Sequence, residues 1–150
     1  MRALLAGLLL LASCSKDIDD YKRRQKTEVA QVALIRLTQV AKVHGDASKE
    51  FPKGTIGPTP AQSCCAQKDG VCLPDLEQWK GGMWEFLGFA VDTPHRFQYS
   101  YASDGKTFTV TAIADLDCDG RVTTVVAGGT ITETGGVVID DSQIRLKKKK

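Results

Sequence analysis

Between residues 27 and 44 apolar side chains return at three- and four-residue steps. Val29, Ala33, Leu37, Val40 and Ala41 form one strip, and Ala30, Leu34 and His44 lie on the strip beside it. That period is helical, and Gly45 stands where a helix stop belongs. The pattern predicts a long amphipathic helix over about residues 19–44, with His44 in a structural role at its carboxyl end. Beyond Thr93 the period falls to two. Phe97, Tyr99 and Tyr101 alternate with Gln98 and Ser100, and Phe108, Val110, Ala112 and Ala114 alternate with Thr109, Thr111 and Ile113. Ser103-Asp104-Gly105-Lys106 supplies a hairpin turn between these runs. Residues 121–126 and 136–139 read as two more strands, set off by Gly128-Gly129 and Gly135-Gly136. A helix followed by consecutive short strands predicts an α+β fold, the helix laid across a roughly four-stranded antiparallel sheet.

Residues 46–75 break both periods. They hold four of the five prolines and three cysteines, so they read as an irregular loop held by disulfides. The aromatic cluster that follows (Trp79, Trp84, Phe86, Leu87 and Phe89) is expected to pack as core beneath that loop.

Composition is ordinary for a globular chain, with 42% hydrophobic and 25% charged residues. Setting aside Arg2 and the four lysines at 147–150 leaves 15 cations against 18 acids, so the body is mildly acidic. No basic face argues for nucleic acid, and residues 142–150 read as a solvated basic tail. Besides Cys14 there are four cysteines: Cys64, Cys65, Cys72 and Cys118. An even number in an exported domain implies a disulfide framework. A vicinal pair is strained, so Cys64 and Cys65 each pair with either Cys72 or Cys118. Zinc is the competing reading, but C-C-x6-C followed much later by Cys is not a usual zinc spacing.

Residues 1–13 read as a signal peptide: Arg2, then an unbroken apolar or small run, then small residues before a cut. The ending Leu11-Ala12-Ser13-Cys14 resembles the lipobox of bacterial lipoproteins. That resemblance implies a covalent lipid on Cys14, a diacylglyceryl thioether with palmitate-like acyl chains, and a stable membrane anchor. Ser15 after the lipidated Cys then favours the outer membrane over the inner within the cell envelope. Residues 14–26 are expected to serve as tether or helix start.

The succession from residue 27 to 141 resembles the head domain of type IV pilin-like proteins. It comprises an amphipathic helix, Phe51-Pro52-Lys53-Gly54, a Pro- and Cys-rich loop and W-x4-W-x2-LGF from Trp79. Pro94-His95-Arg96-Phe97-Gln98-Tyr99-Ser100-Tyr101, F-T-V-T-A from Phe108 and Asp115-Leu116-Asp117-Cys118-Asp119-Gly120 complete it. The resemblance implies the same α+β arrangement, a disulfide-bounded region, and partners among pilus or secretion-system proteins. Pilins carry a longer hydrophobic stem ahead of the head, so the likeness is confined to the head.

The run Asp115 to Gly120 also resembles the opening of an EF-hand calcium loop. Asp115, Asp117 and Asp119 fall at ligand positions 1, 3 and 5, Gly120 at the sharp turn and Arg121 at the backbone-carbonyl position. Val126 stands where the bidentate Glu belongs. The alternative is a plain strand-connecting turn, which favours Asp and Gly for its own reasons. Neither His44 nor His95 has a nucleophile elbow, P-loop or H-E-x-x-H around it, so no enzymatic chemistry is expected. The sequence therefore points to a lipid-anchored structural or interaction protein of the envelope. A surface adhesion module with a calcium-stabilised turn, independent of any filament, is the alternative.

Overall fold

The computed structural model describes residues 21–144 in full, together with helical backbone from Leu4. The expected signal peptide, Cys14 and the lysines at 147–150 lie outside the fully described residues. The fold is α+β. Helix α1 (Leu4–Ser48) precedes β1 (Gly54–Thr59), a connecting segment with the short helix α2 (Gly82–Phe86), and then β2 (Gln98–Ser103), β3 (Thr107–Asp115), β4 (Val122–Ile131) and β5 (Val137–Asp140). The five strands form one antiparallel sheet in chain order. Among the described residues no helix is long and apolar enough to cross a membrane.

The expected helix is present, and its buried face draws on both strips. Ala30, Leu34, Leu37, Thr38 and Ala41 are buried against the sheet, whereas Val29 is exposed. This face, alanines and leucines together, packs on β4, with β3 and β5 on either side. Gly45 is not a stop. The helix passes through it to Ser48, and a Cβ there would lie 2.6 Å from Phe51 Cε1. The glycine marks a close approach, not a terminus.

The strand count rises from four to five because β1 lies inside the stretch expected to be loop. It pairs with β2 at the sheet edge, with a register irregularity between Ile56 and Thr59. Pro58 is tolerated there because an edge strand can leave one side unpaired. Strand β4 also runs through Gly128-Gly129, expected as a separator. A Cβ on Gly129 would come within 2.6 Å of Phe108 Cε1, so the ring occupies the space a side chain would need.

The inner face of β2, β3 and β4 carries Tyr99, Tyr101, Phe108, Val110, Ala112, Ala114, Val125 and Ala127, all buried. Helix α1 covers one half of this face. The connecting segment covers the other with Trp79, Trp84, Leu87 and Phe89, as the core reading expected. The rings of Trp79 and Phe89 meet Tyr99 at centroid distances of 6.2 and 5.7 Å, and Trp84 Nε1 donates to Thr59 Oγ1 at 2.8 Å. Phe86 is the exception: it is exposed and stacks on His44. The packed body continues past residue 141. Ile144 is buried in the core, and the Gln143 carbonyl accepts from Gln31 Nε2.

Candidate functional site

Two disulfides and the β3–β4 turn gather at one end of the sheet. Cys64 bonds Cys72, and Cys65 bonds Cys118, which settles the connectivity that the sequence left open. Ser63 starts the local turn by accepting the Cys65 N–H on its hydroxyl, and this directs the two neighbouring sulfurs to different partners. Cys65–Cys118 thereby fastens the segment after β1 to the aspartate turn.

In that turn Cys118 and Gly120 have positive φ angles of 54° and 88°. Asp115 closes it, its carboxylate accepting the backbone N–H groups of Asp119 at 3.1 Å and Gly120 at 2.7 Å. Asp117 points elsewhere, to Arg23 at 2.7 Å and Lys26 at 3.2 Å on α1, and Lys26 also donates to the Leu116 carbonyl. Asp119 turns to Arg121, accepting from its backbone N–H at 2.9 Å and from its guanidinium. The Arg121 side chain, and then its N–H, hold the Asp119 carboxyl below the ordinary carboxylate range.

The three carboxylates proposed for calcium thus have three different sets of protein donors. No gathering of their oxygens into one ligand cluster exists among the described residues. The sequence missed the α1 cations that meet the turn, Arg23 and Lys26. They lie far upstream on what read as a tether, and their charges carried no positional signal.

The side-chain cluster that does converge is Cys64, Cys72 and His95, whose ligand atoms all lie within 4.8 Å of one another. Backbone pairing sets it: Cys72 and His95 exchange both N–H···O bonds, at 2.8 and 3.0 Å. All three residues are buried, at 2%, 1% and 5% exposure. His95 Nδ1 lies 3.0 Å from the Thr93 carbonyl, so it carries the proton and leaves the lone pair on Nε2. Nε2 is buried with no hydrogen-bond partner. Burial pushes the imidazole below its ordinary value, against the opposing pull of the Thr93 carbonyl, so the ring is neutral at neutral pH. The sequence held a signal for this placement, because His95 shares the parity of Phe97, Tyr99 and Tyr101 and so falls on the inward face.

A shallow depression of about 320 Å³ on the outer sheet face, between Thr109, Gly128, Thr130 and Val138, contains one carboxylate, Asp140. Comparison with protein-family models, with characterised proteins and with solved structures finds no match for this chain.

Proposed function

We propose that this chain is a lipid-anchored protein of the cell envelope. Cys14 carries the acyl chains, and the head works as a structural or interaction unit accessory to a pilus or secretion machine. The observation that carries the reading is the packing of the helix's carboxyl half across β3, β4 and β5 of a consecutive antiparallel sheet. A disulfide-bonded segment follows the edge strand β1 and leads to β2. This is the arrangement that the pilin-head resemblance implies. The opposite face of the helix supports an interaction role, since Tyr21, Val29, Val32 and Val43 are all more than half exposed.

The head therefore acts by holding a surface, and the lipid keeps that surface at the membrane. The test pairs Cys14→Ala with fatty-acid labelling, and gene deletion with assays of piliation and adhesion. Loss of label and release of the protein are expected for the variant, and reduced piliation for the deletion. Label that persists in the variant, or is absent from the parent, overturns the anchor. Normal piliation with lost adhesion would instead favour the free-standing adhesion module.

A further inference from the structure

We propose that Cys64, Cys72 and His95 form a redox-gated site for a thiophilic cation, zinc in the first instance, open in the dithiol form and closed by the disulfide. The inference is independent of the lipid anchor and of any filament. Two of the ligands are held by the backbone: the Cys72–His95 bridge sets their side chains on one face, whatever the state of the sulfurs. The third, Cys64, has its Cα 4.8 Å from that of Cys72.

Other ties keep this segment in place after reduction. Arg96 Nη1 donates to the Asp69 and Gly70 carbonyls at 2.9 and 3.0 Å, and Gln67 Oε1 accepts the Leu73 N–H. The sulfurs then need only part to the roughly 3.8 Å that tetrahedral zinc with Zn–S bonds of about 2.3 Å requires. His95 keeps a nitrogen free to ligate: Nε2 is buried and unpartnered, while Nδ1 lies within hydrogen-bond distance of a backbone carbonyl, the bond that fixes the tautomer of a ligating histidine.

The balance is as follows. A dithiol reductant breaks the Cys64–Cys72 bond, becoming a disulfide itself and transferring two electrons and two protons. Zinc displaces those two thiol protons to solvent, and neutral His95 adds a nitrogen without releasing one. The filled site is electrically neutral, two thiolates against one divalent cation, as a buried position demands. Calcium is excluded by the soft donors. A partner disulfide reverses the reaction and ejects the ion.

The test uses the full-length chain, reduced with a phosphine, stripped of metal and titrated with zinc or cobalt. One ion per chain is expected by native mass spectrometry, with thiolate-to-cobalt charge transfer and tetrahedral ligand-field bands. The disulfide form should take none. His95→Asn should weaken zinc at least about tenfold, and His95→Cys should restore it. In the parent, bound zinc should protect Cys64 and Cys72 from alkylation and leave Cys65 and Cys118 reactive. That measurement needs no variant to fold. Protection of Cys65 and Cys118 instead, equal affinity in His95→Asn, or a reduced chain without native near-ultraviolet dichroism and without uptake each overturns the proposal.

Discussion

The two disulfides close loops of very different length, and the longer should contribute more. Cys65–Cys118 spans 53 residues and Cys64–Cys72 spans 8. Chain entropy with a logarithmic dependence on loop length gives about 4 kcal/mol for the long loop and about 2.5 kcal/mol for the short one at 25 °C. Simple replacement by alanine would blur the comparison, because Cys64 and Cys72 are buried whereas Cys118 is exposed. Removing the buried pair also empties packed space, at a cost that approaches the difference sought.

A cleaner design keeps the sulfurs. In Cys64→Ala/Cys72→Ala the remaining long-range bond is reduced, and in Cys65→Ala/Cys118→Ala the short-range one. Each oxidised and reduced pair then shares one set of core atoms. Urea unfolding at 25 °C, with chelator present to exclude metal, gives both differences. Reduction should cost about 1.7 kcal/mol more for the long loop than for the short one. Against a typical total of 5–15 kcal/mol, that is easily resolved. Equal costs, or a larger cost for the short loop, would refute the entropic account. The Cys64–Cys72 bond would then owe its contribution to the native contacts around His95.

Gly45→Ala should destabilise by about 1–2 kcal/mol despite improved helix propensity, because the new methyl meets Phe51, itself packed edge-on against Phe108 at 4.6 Å; a gain in urea midpoint would contradict the close approach. Trp84→Phe leaves buried Thr59 without its indole donor and should cost about 1–3 kcal/mol by the same assay, with no loss counting against that bond. Burial raises the Tyr99 and Tyr101 hydroxyls above their ordinary value, the latter opposed by Ser103. Their stabilisation is therefore complete below the unfolded value of about 10 and lost as pH rises beyond it; melting temperature should fall from pH 10 upward, and less so in Tyr99→Phe. Calcium must draw Asp117 from Arg23 and Lys26, and Asp119 from Arg121, before it can bind the turn. Melting curves in calcium and in chelator should therefore coincide, and a rise with calcium would show that the carboxylates re-open.

The α+β class was legible because two unequal periods follow one another along the chain, and each reports which side of an element is buried. The same periods misplace detail wherever burial is decided by a distant neighbour. Val29 and Ala30 fit a helical stripe equally well, and only the packing on β4 sets which of them is buried. Gly45 and Gly129 look like punctuation locally, yet both stand where an aromatic ring from elsewhere, Phe51 and Phe108, fills the place of a side chain. Strand β1 holds three β-branched residues, Thr55, Ile56 and Thr59, but Gly54, Gly57 and Pro58 interrupt any strand pattern. It is a strand because β2 offers it an edge, a property of the partner rather than of residues 54–59.

The chemistry follows the same division. The calcium motif is local and was easy to read, but a local pattern of Asp and Gly also makes a self-satisfied turn. Asp115 spends its oxygens on the N–H groups of Asp119 and Gly120. The Cys64, Cys72 and His95 cluster is nonlocal, with two ligands from the cystine loop and one from just before β2. Spacing within the cysteines therefore argued against metal, since the third ligand comes from elsewhere in the chain. Parity alone pointed inward for His95, and the exchange of backbone bonds with Cys72 turns that parity into a position. An imidazole buried in a cluster with two sulfurs and keeping one nitrogen unpartnered costs stability as long as nothing meets that nitrogen. A cation held by the dithiol would meet that nitrogen, and the disulfide cannot.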